Sequence, residues 1–223
     1  MKLEKEFHKL YNETRLMLIK ELESENDLEM IDALHYAQLI LNRYMFVCFA
    51  EDTGLIPPQT STETISSPIL TGNILKSTIW QRINKLFTDI SNGNKLEKIN
   101  AYNGELFEEN LEFLRIRDLV DDQSFFNDTY QKWKLEAYEQ DISHLLGTAG
   151  NRINPIYRNM LIISSFDFSS ELDVNILGHN SENSMEDIED LKEDIKRRHQ
   201  KERQFIILTI LLIILMMLVF LFK

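Results

Sequence analysis

Residues 37–58 read AQLILNRYMFVCFAEDTGLIPP, and how this stretch folds decides the rest. Leu34, Ala37, Leu41, Met45 and Cys48 recur at the three- and four-residue spacing of one helix face. From Tyr44 to Ala50 every residue is apolar, so no side of that part of the helix can be left to water. The pattern predicts a central helix, Leu34–Glu51, that other elements must cover. Its end is also specified. Gly54 supplies a left-handed cap, Leu55 and Ile56 fold back on the last turn, and Pro57-Pro58 cannot continue the helix. Glu51 and Asp52 stand at the negative end of the helix dipole, which costs roughly 0.3–1 kcal/mol each unless they are paired. Arg43, upstream, is the cation expected to reach the same side. The acidic pair reads either as a charge-satisfied buried helix end or as a contact with a neighbouring domain.

Working outward, residues 1–26 form an amphipathic pattern, with Leu3, Phe7, Leu10, Thr14, Met17 and Leu18 near one face. Asp27 is expected to cap the helix that follows. Gln59–Ser67 is rich in Thr and Ser and reads as a polar surface loop. Ile74–Ile90 carries Ile79, Trp80, Ile83, Leu86, Phe87 and Ile90 at helical spacing, a broad face for the central helix. After the break at Ser91–Asn94, Tyr102-Asn103-Gly104-Glu105-Leu106-Phe107 reads as a turn between two aromatic anchors. Leu111–Leu119 and Phe125–Leu146 are further helix candidates, and the aromatics of the second, among them Trp133, are expected in the core. Pro155–Phe166 is another apolar run, followed by Asp167 or Ser169 as a cap.

The net charge is −12, which excludes a general electrostatic footprint for nucleic acid. A single cysteine, Cys48, excludes an internal disulfide and a cysteine-based zinc site. His8, His35, His144, His179 and His199 are isolated from one another and from metal-ligand spacing, and no Gly-x-Gly cluster offers a cofactor turn. Asn154-Pro155-Ile156-Tyr157 approaches the Asn-Pro-Pro-Tyr loop with which adenine methyltransferases hold a flipped base, but it lacks the second proline. The sequence therefore predicts no catalytic residue, no bound cofactor and no metal in this chain. No early apolar run suggests a signal peptide, and a reducing setting is expected for the part before the tail.

Near the C-terminus, acidic Glu182–Asp194 gives way to Lys196-Arg197-Arg198, Lys201 and Arg203. Phe205–Phe222 then runs eighteen residues with only Thr209 polar. As a helix this spans about 27 Å, close to the hydrocarbon thickness of a bilayer. Phe205, Ile206, Leu211, Leu215, Leu218 and Phe222 would face lipid, with the preceding part on the cytoplasmic side, where basic flanks belong.

Four separated segments carry a family resemblance. They are Leu41–Phe46 with Phe49–Pro57, Leu86-Phe87, Tyr102–Phe107, and Phe166–Ser169 with Ile176-Leu177-Gly178-His179. In this order they resemble the helical spacer region preceding the methyltransferase domain in type IIG and IIL restriction-modification fusions and in adenine methyltransferases of phage-exclusion systems. The resemblance covers roughly residues 30–200. It implies a non-catalytic region truncated before its catalytic domain, in a parent enzyme that uses S-adenosylmethionine on DNA adenine, with or without an endonuclease. It also implies that Arg43, Glu51, Asp52, Tyr102, Asn103, Gly104 and Phe107 face a neighbouring domain, and that DNA is a partner only within the parent enzyme. In such relatives the helix like Glu182–Glu202 enters the catalytic domain, whereas this chain departs at Arg203. Two readings of the tail stay open: a genuine membrane anchor, or a frameshifted translation of the lost domain, which would leave the protein cytoplasmic. The expected fold is an all-α, irregular multi-helix bundle with a long C-terminal helix ending in one transmembrane-like segment. Its parts are a helical domain over 1–180, a charged helical linker over 181–203 and a hydrophobic tail over 204–223. The other functional class compatible with the chain is a tail-anchored adaptor that binds a protein partner.

Overall fold

The central helix α2 spans Met30–Asp52 in the computed structural model, which describes residues 2–70, 77–102, 104–120 and 152–169. All of these belong to one compact unit, Met1–Leu177, separate from Gly178–Lys223. The described residues are helical apart from turns, extended segments and two isolated antiparallel bridges, Asn94 with Ile99 and Leu119 with Ile153. The predicted helix over 125–146, the charged linker and the run Phe205–Phe222 lie outside them. Among the described residues no helix is long and apolar enough to cross a membrane.

Helix α1, Lys2–Asn26, packs along α2 and buries Phe7, Leu10, Thr14, Met17, Leu18 and Leu22. The connection does not use Asp27 as a cap. Asp27 takes φ 52, a left-handed turn that short Asp side chains tolerate, and Glu29 is the residue that precedes α2. As the sequence pattern requires, α2 is covered on several sides: by α1, by α3 (Thr60–Leu70), by α5 (Pro155–Ile163) and by a 3-10 turn at Glu105–Phe107. Tyr44, Met45, Val47, Cys48 and Ala50 are each at most 3% exposed.

The end of α2 forms as its residues dictate. Gly54 takes φ 73, its N–H donates to the Glu51 carbonyl, and the Leu55 N–H reaches back to the Ala50 carbonyl at 2.7 Å, closing a Schellman motif. Ile56 is buried beneath this turn, while Leu55 stays 42% exposed.

Two segments differ from expectation. Gln59–Ser67 is mostly helix rather than a surface loop, because α3 is a polar helix with a narrow apolar seam. Ser61, Ile65 and Pro68 fall at helical spacing and are buried, and the Thr64 hydroxyl donates back to the Thr60 carbonyl at 2.7 Å. Leu111–Leu119 is not a helix. After a turn at Leu111–Leu114, residues alternate: Leu114, Ile116, Asp118 and Val120 are buried, Arg115 and Arg117 outward. That is the period of an extended strand.

The hydrogen bonds of this extended segment go largely to side chains. Asn26 Oδ1 accepts the Arg115 N–H at 2.7 Å while Asn26 Nδ2 donates to the Arg115 carbonyl at 2.9 Å. Glu21 accepts the Arg117 N–H, and Asn154 and Tyr157 donate to the carbonyls of Arg117 and Ile116. Val120 and Asp118 pair with the main chain of Arg152 and Asn154. Side chains of α1 and α5 thus replace the neighbouring strand that would otherwise satisfy these groups.

Helix α4, Ile79–Asn92, starts at a capping box. The Thr78 hydroxyl accepts the Gln81 N–H, and the Gln81 side chain accepts the Thr78 N–H, each at 3.0 Å. It packs chiefly on α3 and the 3-10 turn and meets α2 through Phe87 and Arg43.

Candidate functional site

The C-terminal half of α2 gathers most of the residues singled out by sequence, on more than one side of the helix. Arg43, only 2% exposed, does not reach Glu51 or Asp52. Its Nε donates to the Leu106 carbonyl at 2.6 Å and its Nη2 to the Glu109 carbonyl at 2.7 Å. The guanidinium carbon lies 5.8 Å from the Phe87 ring centre and 5.5 Å from that of Phe107. Burial lowers the Arg43 pKa, and the Glu109 carboxylate opposes that shift. The guanidinium remains charged, but two of its donors are committed to the main chain.

Phe107 is edge-on to Phe87 at 6.2 Å and to Phe46 at 5.4 Å, and Phe46 is edge-on to Tyr102 at 5.9 Å. The Tyr102 hydroxyl donates to the Leu55 carbonyl at 3.2 Å. Gly104, extended at φ −142, precedes the 3-10 turn, and Asn103 lies outside the described residues. The turn expected over Tyr102–Phe107 is therefore fastened to α2 at both aromatic ends.

The acidic pair ending α2 is satisfied by main-chain N–H groups. Glu51 accepts from Gln59 at 2.5 Å and from Ser61 at 2.9 Å, so it caps the start of α3. Asp52 accepts from the Phe168 N–H at 2.7 Å. Burial raises the Asp52 pKa, with that hydrogen bond opposing the shift. Phe166 and Phe168, in the turn after α5, are edge-on to Phe7 of α1 at 5.4 and 5.7 Å.

Beside this cluster a cavity of about 300 Å³ lies between α4 and the 107–112 loop. Phe87, Phe107 and Arg43 line it together with Glu108, Glu109 and Glu112. Its wall also carries Asn84, Thr88, Ser91 and Asn92, and the guanidinium there is already engaged by main-chain carbonyls. Cys48, in the core of α2, has its thiol pKa raised well above 9.0 by burial and then by the charges of Glu51 and Asp52, so it is an inert core thiol. Among the described residues no three His, Cys, Asp or Glu side chains converge as a metal site.

A second polar cluster escaped the sequence reading. Glu21, fully buried on α1, accepts from Arg117 Nε at 3.0 Å and Nη2 at 2.7 Å, from the Arg117 main-chain N–H at 2.9 Å, and from Asn154 Nδ2 at 3.2 Å. Its signal was available: Leu10, Thr14, Met17 and Glu21 continue one stripe, and an acid on an apolar stripe demands a buried partner. The Asn154–Tyr157 stretch is part of this cluster. The Asn154 side chain accepts the Ile156 N–H and caps α5, and Tyr157 is fully buried with its hydroxyl donating to Ile116. Burial, then Asp118 and Glu21, hold the Tyr157 phenol well above its usual range. Nothing there is open to a base or a substrate.

Compared with models of protein families, with curated proteins and with solved structures, the chain matches none.

Proposed function

We propose that this chain is a non-catalytic helical spacer of the kind that precedes the catalytic domain in adenine-specific DNA methyltransferases and restriction-modification fusions. One observation supports the reading. Among the described residues, which do not include Ile176–His179, the resembling segments, up to 116 residues apart, converge on the C-terminal half of α2 through Arg43–Leu106, Arg43–Phe87, Phe46–Tyr102 and Asp52–Phe168. Motifs kept in order for structure should close on one another in this way, whereas catalytic motifs would leave donors and bases facing a cleft. In an intact enzyme the role of such a body is to hold domains apart and help enclose DNA. In such an enzyme methyl transfer and S-adenosylmethionine belong to the catalytic domain.

The test is the nucleotide sequence after the Arg203 codon. A frame displaced by one base should encode an Asn-Pro-Pro-Tyr loop and a glycine-rich cofactor turn. A protein translated from the restored frame should methylate DNA adenine when given S-adenosylmethionine, and the chain as it stands should not. No such frame, or methyl transfer by the present chain, would overturn the proposal. The alternative, a tail-anchored adaptor, draws support from the run Phe205–Phe222 behind its basic flank, and a stop codon with no methyltransferase remnant downstream would favour it.

A further inference from the structure

Large apolar side chains seldom stand side by side in water without a use. Phe113 is 54% exposed on the turn after Leu111, with its ring edge-on to Tyr36 of α2 at 5.3 Å. Tyr36 is in turn edge-on to His35 at 5.2 Å, and Ile31, 48% exposed, lies one helical turn before His35 on the same face. Ile31, His35, Tyr36 and Phe113 make a continuous strip across α2 and the loop. Its border is acidic. Glu109 takes the His35 Nε2 at 2.8 Å, the Tyr36 phenol pKa is raised by desolvation and then by the nearby charges of Glu109 and Asp32, and Glu108 and Glu112 are exposed on the same loop. Among the described residues the opposing charges beside the strip are His35, already paired, and Arg115, exposed two residues beyond Phe113.

We infer that this strip is a docking surface for a basic amphipathic segment of another protein, whose aliphatic side chains seat on Ile31, Tyr36 and Phe113 while its Lys or Arg side chains meet Asp32, Glu109 and Glu112. An apolar centre inside a charged border is the anatomy of a protein interface, and the sign of the border selects the occupant. A nucleic-acid backbone or an anionic membrane would be repelled. A second copy docked through the same strip would set these carboxylates against their own duplicates. The inference does not rest on the spacer reading, because it concerns side chains of the N-terminal half of α2, whereas the resembling segments gather on its C-terminal half.

The full chain, in a neutral detergent, is titrated into a fluorescein-labelled peptide carrying Leu on one helical face and Arg on the other, and into a matched peptide with Glu in place of Arg. The Arg peptide should bind at least about tenfold more tightly, and less tightly as salt rises. Phe113→Ser should weaken it about tenfold, and Glu109→Gln with Glu112→Gln should flatten its salt dependence. Ile31→Ser, at the other end of the strip, provides the same reading if Phe113→Ser melts early. Equal binding of both peptides would overturn the inference, as would an Arg peptide indifferent to Phe113→Ser and Ile31→Ser, which marks mere attraction to an acidic chain. A concentration-dependent dimer abolished by Phe113→Ser would overturn it in favour of self-association.

Discussion

Arg117 and Glu21, separated by 96 residues, meet through three hydrogen bonds, two from the guanidinium and one from the Arg117 main-chain N–H. The pair is lopsided: the Arg117 side chain is 41% exposed and that of Glu21 is 0% exposed. Losing the arginine side chain leaves a buried carboxylate with two neutral donors but no counter-charge, whereas losing the acid leaves an arginine that still reaches water and Glu25. Arg117→Met should therefore cost about 3 kcal/mol and Glu21→Gln only about 1–2 kcal/mol. The double variant should cost less than the sum of the two, because the stranded charge is gone. Urea denaturation of the four proteins checks this, and equal, additive costs would show that the pair is not coupled.

Arg43 anchors the 105–112 loop by serving two main-chain carbonyls, those of Leu106 and Glu109. A lysine carries its charge at one point and cannot replace a fork that reaches both. Arg43→Met should cost about 2–3 kcal/mol and Arg43→Lys about 1–2 kcal/mol. Both should speed amide exchange across Glu105–Glu112 while leaving α1 protected. Uniform exchange throughout the fold would mean that the arginine supports the core rather than the loop.

These two arginines also show what local sequence could and could not reveal. The apolar run of α2, its glycine cap and its proline stop all lie within a few residues of each other, so the central helix and its ending were legible. Arg43, Tyr102 and Phe107 stand out as local motifs, but local spacing pairs Arg43 with the nearby acids Glu51 and Asp52, whereas its partners are carbonyls more than sixty residues away. Segment 111–119 was misread for a related reason. Leu111 and Leu114 have helical spacing, and the alternation that follows makes sense only once Asn26, Glu21 and Asn154 are known to take its N–H and C=O groups. Helix α3 was hidden because hydroxyls that return to their own backbone look, in composition, like a loop. Its cap, Glu51, belongs to the preceding helix.

Gly54 and Gly93 separate the two ways a glycine can be required. Gly54 has φ 73, yet an added Cβ would meet nothing within 4 Å. Gly54→Ala should cost about 1 kcal/mol, the conformational term alone. Gly93 has φ 81 and ψ 143, where essentially only glycine is at ease, and a Cβ there would lie 3.0 Å from the Ala101 backbone nitrogen. Gly93→Ala should cost at least about 2 kcal/mol. Thermal melts compare the two, and a Gly93→Ala loss no larger than that of Gly54→Ala would refute the steric account.

Asp118 is the group whose titration should be visible in the stability of the fold. It is 8% exposed, and its Oδ1 accepts the Ile79 N–H at 2.9 Å, so it caps α4 from outside the capping box. Burial raises its pKa from 3.8 to about 6, outweighing the main-chain N–H groups of Ile79 and Trp80 that favour the anion. The folded state therefore holds the proton more tightly than the unfolded chain, and the proton's contribution is fully present below about pH 4. That contribution declines as the pH rises from about 4 to about 6, by an amount on the order of 3 kcal/mol, and is absent above. Asp118→Asn keeps an acceptor for Ile79 without a titrating group, so relative to the parent protein its stability should gain between about pH 4 and pH 6 and then run parallel. Asp118→Ala loses the acceptor as well and should cost about 1–2 kcal/mol more than Asp118→Asn at every pH. Urea midpoints across this range decide the matter. If the parent and Asp118→Asn curves stay parallel throughout, the carboxyl titrates alike in the folded and unfolded chains, and its burial at the start of α4 has no electrostatic consequence.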